Sequence, residues 1–245
     1  MKTAPTSPKS TLENSAMNDD SKRKKCIEMV SERKACRRCA NCGLTNPSVV
    51  DNGKHDGSEI GPWTRWNGDL YAKVLVVGQE WGSTTSFIRQ RGLDKADGDT
   101  NEMLVYLLAS IGIDISDAPK PRPNSGVFLT NAALCLKEGN SQSKVKKQWF
   151  KNCGTAFLRR QIDLVQPRVV VALGKEAYQG ICDAYEMDSV SKFSEAIGLI
   201  VPIKNADGIR MIPVSHCSVM ARNMNNRPRS KQFRDWMLIK AALHD

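Results

Sequence analysis

The sequence predicts an α/β fold of three layers, αβα, built around a central four-stranded, mainly parallel sheet. The first observation is a set of four short apolar runs, at residues 74–77, 127–130, 169–173 and 211–214. Runs of this length bounded by turn residues are typical of strands buried on both faces of a sheet. The second observation is that helical patterns fill the gaps between the runs, as in sheets whose parallel strands are joined by crossover helices.

The helices are predicted from apolar residues at helical spacing. One spans about residues 100–111 and ends at Gly112. Another spans about residues 149–165 and stops before Pro167, because a proline disfavours helical geometry in the residue that precedes it. A last helix is expected to begin near Ser230.

The chain has 245 residues, of which 40% are hydrophobic, and this suffices for one domain with one substantial core. Residues 1–24 are polar and partly basic, without apolar periodicity, so we expect them to form a disordered basic tail. We assign residues 25–245 to the domain, including a cysteine-rich segment over residues 26–67.

The formal net charge of +10 suits a protein that meets a polyanion, although a basic solvated surface gives the same balance. No stretch approaches the ~20 apolar residues that a membrane span needs. The N-terminus also lacks the apolar segment of a secretory signal. We therefore expect no membrane partner and a location in the cytoplasm, associated with the nucleoid if the source is bacterial. We also expect a monomer.

Polar residues follow the apolar runs at the sheet edge where ligands of open α/β sheets bind. The first run leads into Gly78-Gln79-Glu80-Trp81-Gly82. Its two glycines allow close backbone approach to a ligand, with a carboxylate between them. A glycine-containing turn after a strand is also common without any function.

Asn131, Gly174 and His216 follow the other three runs. An asparagine there can recognise both a donor and an acceptor, or can simply form a turn. We expect Gly174 to be structural. A lone histidine is more often structural than catalytic, but the edge that His216 shares with Glu80 and Asn131 favours a catalytic role.

Taken together, four segments resemble the motifs of the uracil-DNA glycosylase superfamily, in particular its iron–sulfur branch, family 4 and its relatives. They are Gly78-Gln79-Glu80-Trp81-Gly82, Leu129-Thr130-Asn131, Ala172-Leu173-Gly174, and His216-Cys217-Ser218 with Arg222-Asn223 downstream. The resemblance covers roughly Cys36 to the C-terminus. It implies a uracil-DNA glycosylase-like fold and a DNA-repair hydrolase that removes uracil, or a related deaminated base, from single- or double-stranded DNA.

Three residues depart from the family pattern. Trp81 and Cys217 replace motif prolines. Glu80 stands where family 4 has an alanine and where the best-known branch has its catalytic aspartate. These departures bear on the substrate range more than on the fold.

The cysteines extend the resemblance. Eight cysteines in a chain that is not exported favour metal ligation or buried reduced thiols over a disulfide framework. The iron–sulfur branch implies a Cys-x2-Cys pair and two later ligands, which match Cys135 and Cys153. For the pair, both Cys36 with Cys39 and Cys39 with Cys42 fit, so Cys36 or Cys42 is spare. Four thiolates can hold a [4Fe–4S] cluster or a structural zinc ion, and the resemblance favours the cluster.

The resemblance also implies roles for the site residues. Asn131 would pair with the uracil edge, His216 would stabilise the departing base, and Glu80 would orient the attacking water. The residues that would bind the substrate are Gly78, Gln79, Trp81, Gly82, Phe87, Asn131, Ser218 and Arg222. Phe87 would stack on the flipped base, or would belong to the core. The segment over residues 219–222 would press into the duplex.

Three alternatives stay open at this stage. The chain could be a catalytically weak or covalently trapping DNA-binding relative with the same fold. It could be a glycosylase for hypoxanthine, xanthine or a mismatched base. A nucleotide-binding α/β hydrolase is disfavoured, because neither a P-loop nor a full dinucleotide-binding fingerprint is present in the sequence.

Overall fold

A computed structural model describes residues 10–94, 98–116, 124–138, 145–224 and 227–244. The strands are β1 (Leu44–Thr45), β2 (Val74–Gly78), β3 (Val127–Asn131), β4 (Leu136–Lys137), β5 (Val169–Leu173), β6 (Val201–Pro202) and β7 (Arg210–Val214). The helices are α1 (Ser10–Ala35), α2 (Pro62–Asn67), α3 (Thr84–Arg89), α4 (Asp99–Ser110), α5 (Lys147–Cys153), α6 (Arg159–Val165), α7 (Lys175–Ala184), α8 (Phe193–Ala196), α9 (Val219–Met224) and α10 (Arg229–Ala242). A 3₁₀ segment covers Pro47–Gly53, and a π-turn covers Gly154–Leu158.

Within the described residues, five strands form the central sheet in the order β3-β2-β5-β7-β6. The first four are parallel neighbours, and β6 pairs antiparallel with β7 at the edge. The four predicted strands and the α/β class are confirmed. The predicted number of strands is too low by one, because β6 has only two residues and one of them is Pro202, so no apolar run marks it.

Helices cover both faces of the sheet, because successive strand residues point to opposite sides. Leu75, Val77 and Ala172 pack into one core with α1, α5, α6 and α7. Val74 and Val76 pack into the other core with α2, α4 and α10. The residues in the four parallel strands are almost all buried, which explains why the strands have no polar face in the sequence.

The predicted helices are present with small shifts. The helix expected over residues 149–165 is formed by α5, the π-turn and α6, and it ends at Gln166, whose φ of 53° is left-handed. The helix expected near Ser230 begins at Arg229. None of the helices in the described part of the chain is long and apolar enough to cross a membrane.

The N-terminal segment differs from the sequence expectation. Residues 10–24 belong to α1 and are helical rather than disordered, whereas residues 1–9 lie outside the described residues. The helix also runs without a break through residue 25, where the domain was expected to begin. A polar segment can extend a helix whose later turns are already packed, since propagation costs much less than nucleation.

Contacts from the middle and the end of α1 hold it against the body. The Lys22 ammonium donates to the carbonyl oxygens of Leu70 and Val165, both at 3.3 Å. Further along, the Arg160 guanidinium on α6 pairs with the Glu32 carboxylate. These contacts depend on residues far away in sequence, so local composition could not predict them.

Candidate functional site

The carboxyl ends of the parallel strands meet at one edge, where they open into a cleft of about 840 Å³. Gly78 at the end of β2 pairs in register with Asn131 at the end of β3, and His216 follows β7 by two residues. The predicted site residues that line the cleft are Gln79, Glu80, Trp81, Gly82, Phe87, Asn131, His216 and Ser218. Gly78 is buried and does not line it, and Arg222 is outside its lining on α9.

Glu80 is held from two sides. Its Oε1 lies 3.0 Å from the Lys137 Nζ. Its Oε2 accepts a hydrogen bond from the Gln79 side-chain amide. The Glu80 and Lys137 side chains are 10% and 7% exposed, so the ion pair is largely shielded from water. The pair places one negative and one positive charge at fixed positions in the cleft.

Asn131 is buried, and its amide orientation follows from its partners. With its oxygen facing Trp81, Oδ1 accepts from the Trp81 indole N–H at 2.5 Å, and Nδ2 donates to the Thr130 carbonyl at 3.2 Å. Gly78 leaves the space that this amide occupies, because a Cβ at residue 78 would overlap the Asn131 amide and the Trp63 ring. The first motif therefore both orients Asn131 and makes room for it.

The surroundings of His216 define both the tautomer and the protonation state of its imidazole. The Ser218 backbone N–H donates to Nδ1 at 3.1 Å, so the proton of the neutral ring lies on Nε2. Burial lowers the pKa of His216 to about 4, so the ring is neutral at neutral pH. Gly174, with a φ of +96°, allows the close approach of the His216 side chain, as its expected structural role requires.

Phe87 lies both at the cleft and in a hydrophobic cluster, which were the two alternatives that the sequence left open. It lines the cleft, yet it is buried and packs with Val50 and Leu136. Its ring also meets His55 edge-on, with 6.4 Å between ring centroids. A base in the cleft could reach only the part of the ring that faces the opening.

The rim of the cleft carries an exposed apolar tip on α9. Met220 lines the cleft and is 71% exposed, and Val219 beside it is 41% exposed. Arg222, on the same helix, is partly exposed. Apolar side chains at such a rim are available to a partner that enters the cleft.

Sequence reasoning missed two features of the cleft. The first is Lys137, whose approach to Glu80 depends on the two-residue strand β4, for which the sequence has no pattern. The second is the pair formed by Trp63 and Asp94, in which the indole N–H donates to the carboxylate at 2.6 Å. Its position two residues after Cys135, a candidate metal ligand, was the one available indication for Lys137.

A second cavity, of about 140 Å³, is called the cysteine cavity below. Four cysteines from three parts of the chain line it: Cys36, Cys39, Cys135 and Cys153. Cys42 is not part of its lining, and its thiol donates to the Cys39 carbonyl at 3.2 Å. The structure thus brings together four of the five predicted ligands.

The thiols of the cysteine cavity are free and have nearby N–H donors. Asn152 Nδ2 donates to Cys39 Sγ at 3.2 Å, and the Leu134 backbone N–H donates to Cys153 Sγ at 3.5 Å. Burial raises the pKa of Cys153 to about 12 and also raises that of Cys135. Among the described residues, no three His, Cys, Asp or Glu side chains are gathered around one metal-ion position. The four cysteines line one cavity together with apolar and polar residues.

The cysteine cavity and the cleft are neighbours. Strand β1 follows the N-terminal cysteines and pairs antiparallel with β4, which follows Cys135 and carries Lys137. Arg33 lines the cysteine cavity, and its guanidinium carbon lies 5.9 Å from the centroid of the Trp81 ring, which lines the cleft. The two cavities therefore share structural supports.

The fold and this edge define an α/β protein with a cleft at the carboxyl ends of its parallel strands. Residues 67–239 match the family model described as "Uracil DNA glycosylase superfamily". The chain therefore belongs to the uracil-DNA glycosylase superfamily, as its motifs predicted.

Two relatives indicate the branch. A type-4 uracil-DNA glycosylase of Thermotoga maritima is 27% identical over 213 residues, which cover 84% of this chain and 89% of that protein. A type-4 uracil-DNA glycosylase of Archaeoglobus fulgidus is 26% identical over 121 residues, which cover 49% of this chain and 53% of that protein. The chain is thus distantly related to the type-4 enzymes.

Proposed function

We propose that the protein is a uracil-DNA glycosylase, which hydrolyses the N-glycosidic bond of a uracil flipped out of DNA. The observation that carries this proposal is His216, a neutral imidazole with its proton on Nε2, in a cleft shared with Asn131 and Glu80. The membership of the superfamily and the similarity to the type-4 enzymes support the same reaction.

Recognition of uracil is assigned to Asn131. Its amide has two N–H donors and two acceptor lone pairs, of which Thr130 and Trp81 use one each. One donor and one acceptor remain, and they match the O4 and N3–H of uracil. Cytosine presents the reversed pattern, so the oriented amide would disfavour it.

The bond-breaking step needs two kinds of charge stabilisation. As the glycosidic bond breaks, its electron pair moves to the base, and the Nε2–H of His216 would donate to the base oxygen that becomes negative. Positive charge builds on the sugar at the same time. The Glu80 carboxylate would offset that charge, orient a water toward C1′ and take up the proton that this water loses.

DNA would be bound by charge and by shape. A base inside a duplex is unreachable, so it must leave the stack at a cost of a few kcal/mol. Met220 and Val219 would occupy the vacated space, and Arg222 would contact a flanking phosphate. Ser218 and the backbone at Gly82 would shape the cleft around the base, with the exposed part of Phe87 against it.

A [4Fe–4S] cluster held by Cys36, Cys39, Cys135 and Cys153 is the cofactor that best fits the cysteine cavity. Four cysteines that line one cavity suit a cluster better than a single zinc ion, which needs its ligands around one point, and no such group of three ligands occurs among the described residues. The N–H groups of Asn152 and Leu134 are of the kind that hydrogen-bond to cluster sulfurs. The cluster would supply a structural cross-link between the segment after α1, the loop before β4 and the end of α5.

Serine variants of the cysteines test the ligand set. Protein purified anaerobically should be brownish, bleach with dithionite and contain about four iron atoms, as a [4Fe–4S] cluster requires. Cys36→Ser should lose the iron, whereas Cys42→Ser and the control Cys26→Ser should keep it. A colourless protein with one zinc ion would support the zinc alternative, and iron loss in Cys42→Ser but not in Cys36→Ser would reverse the assignment of the pair.

Base release from oligonucleotides tests the activity. The panel contains uracil, hypoxanthine, xanthine, or thymine opposite guanine, each in single- and double-stranded form. We expect uracil to be released, with a loss of about 10²- to 10³-fold in Glu80→Gln and His216→Gln and with DNA binding retained. Glu195→Gln, which removes an exposed carboxylate that is not part of the cleft lining, should match the wild type.

The same panel separates the alternatives. Release of hypoxanthine or xanthine but not of uracil would indicate a glycosylase for another deaminated base. Binding of uracil-containing DNA without release, or a covalent complex that survives denaturation, would indicate a non-catalytic or trapping relative. The monomeric state and the location in the cell stay predictions.

A further inference from the structure

We propose that Lys137 is a positioning residue for Glu80, so that the catalytic carboxylate works as one half of a fixed ion pair. The proposal rests on the proposed glycosylase function, because it concerns how Glu80 acts in that reaction. Neither the motifs nor the similarity to the type-4 enzymes pointed to this lysine.

The Lys137 side chain reaches Glu80 from the wall of the cleft. Its Nζ lies 3.0 Å from Glu80 Oε1, and both side chains are nine-tenths buried or more. Because Gln79 donates to the other carboxylate oxygen, each oxygen of Glu80 has one polar side-chain partner. A carboxylate fixed at both oxygens cannot rotate, while its remaining lone pairs can still accept from a water.

The main chain of Lys137 is anchored on both sides. Its N–H donates to the Gly82 carbonyl at 2.8 Å, and it forms a parallel bridge with Ser83. On the other side it pairs with Leu44 of β1 in the antiparallel β1–β4 ladder. Lys137 is therefore held by the loop of the first motif and by the segment that carries the N-terminal cysteines. Because the backbone of Lys137 is held in place, the positions that its Nζ can occupy are restricted.

The ion pair suits a carboxylate that must work beside DNA. A buried carboxylate without a cation is strongly unfavourable, and the approach of phosphate groups would add repulsion. Lys137 offsets both effects and keeps the Glu80 side chain in one place. Gln79 adds a neutral contact but cannot offset charge.

A double-mutant cycle tests whether Lys137 acts through Glu80. The variants are Lys137→Met, Lys137→Arg, Glu80→Gln and the double variant Glu80→Gln/Lys137→Met. Lys73→Met is the matched control, since it removes an exposed lysine just before β2, at the opposite end of the sheet from the cleft. The measurements are kcat and KM for uracil release from an oligonucleotide, together with the urea midpoint of each variant.

We expect Lys137→Met to lower kcat about 10-fold or more while KM changes less than about 3-fold. Lys137→Arg should recover most of the loss, because it keeps the cation. In the Glu80→Gln background, Lys137→Met should cause no further loss beyond about 2-fold. Lys73→Met should leave kcat and KM at wild-type values.

Several results would overturn the proposal. An equal loss of kcat with and without Glu80 would mean that Lys137 acts on the substrate directly, and a change confined to KM would assign it to DNA binding. An unchanged kcat in Lys137→Met would remove the role altogether. If Lys137→Met does not fold, Lys137→Arg and Lys137→Gln replace it, and equal kcat values in these two variants contradict the need for a cation.

Failure of the proposed function gives a different result. If the wild type releases no base from any oligonucleotide, the glycosylase assignment and the catalytic role of the pair both fall. The contact itself is then judged by the urea midpoints: shifts that add up across the cycle would show that Lys137 and Glu80 do not interact, whereas non-additive shifts would keep the pair as a structural feature.

Discussion

At the scale of single residues, two features of His216 act on the same proton. Burial disfavours the charged imidazolium, and the Ser218 N–H at Nδ1 occupies the nitrogen that would otherwise accept a second proton. A neutral donor suits the stabilisation of a base anion, because it need not be protonated by solvent before each turnover. Because burial lowers the pKa of the ring, a titration can test its protonation state.

His216 should remain neutral far below the usual pH of histidine titration. We expect its ring resonances to titrate with a pKa of about 4, against an ordinary value of 6.5. The unfolded chain takes up a proton on this ring as the pH falls below 6.5, whereas the folded protein does not do so until about pH 4. His216 therefore contributes stability above pH 6.5 that is progressively lost as the pH falls toward 4.

Nuclear magnetic resonance of the three histidines checks this expectation, with His216→Gln assigning the resonance. Urea unfolding at pH 7 and pH 5 gives a second measurement. The wild type should lose more stability between the two pH values than His216→Gln does. A His216 midpoint near 6.5 would contradict both the burial argument and the neutral donor.

The residues at the strand ends were predictable, but their partners were not. Asn131 and His216 could be identified because each follows an apolar run in the sequence, and parallel strands bring such positions to one edge. The hydrogen bond from Trp81 to Asn131 and the ion pair of Lys137 with Glu80 depend on side-chain packing between distant segments. No local periodicity encodes those contacts.

At the scale of elements, two of the ion pairs that join α1 to the body in the described part of the chain differ in character. Arg33 forms a bidentate pair with Asp56, at 2.8 Å for both contacts, and the two side chains are 1% and 5% exposed. Arg160 on α6 pairs with Glu32 of α1, and these side chains are 41% and 53% exposed. One of these arginine–carboxylate pairs is therefore buried, and the other is exposed to solvent.

Removing the two arginines should have very different costs. Arg33→Met would leave Asp56 buried without its cation, so we expect the free energy of unfolding to fall by about 3–5 kcal/mol. Arg160→Met should lower it by about 0–1 kcal/mol, because water replaces the lost partner. Urea denaturation followed by circular dichroism measures both. Equal losses would mean that Arg33 and Asp56 are more hydrated than their burial indicates.

Whether an element could be predicted also depended on whether its own sequence has a pattern. The four parallel strands were predictable because burial on both faces requires an unbroken apolar run. Strand β6 was not, because it is too short to have a pattern. The first turns of α1 were not either, because their helical state continues from a packed segment and is not encoded in their own composition.

At the scale of the whole molecule, charge and shape point to a polyanionic partner. The chain has a formal net charge of +10, and the cleft opens beside the exposed tip of α9. Contacts between cationic side chains and phosphates release counterions, so DNA affinity should fall linearly with salt on logarithmic axes. Any cation that contacts a phosphate contributes to that slope.

Arg222→Ala should reduce the magnitude of the salt slope by about one. Fluorescence anisotropy with a labelled uracil-containing oligonucleotide at several KCl concentrations measures it, with catalysis suppressed by Glu80→Gln. Lys73→Met is the control, since it lies away from the cleft and should leave the slope unchanged. A slope equal to that of the control in Arg222→Ala would remove this residue from the phosphate contacts.

The order of the strands has a consequence for a chain still being made on the ribosome. Strands β2 and β3 are sheet neighbours and emerge early, and the last cysteine that lines the cysteine cavity is Cys153. His216 follows β7, which is connected to β2 and β3 only through β5. Nascent chains can therefore gather Glu80, Asn131 and the four cysteines first. The site becomes complete only when His216 has been synthesised and placed, after most of the domain has left the ribosome.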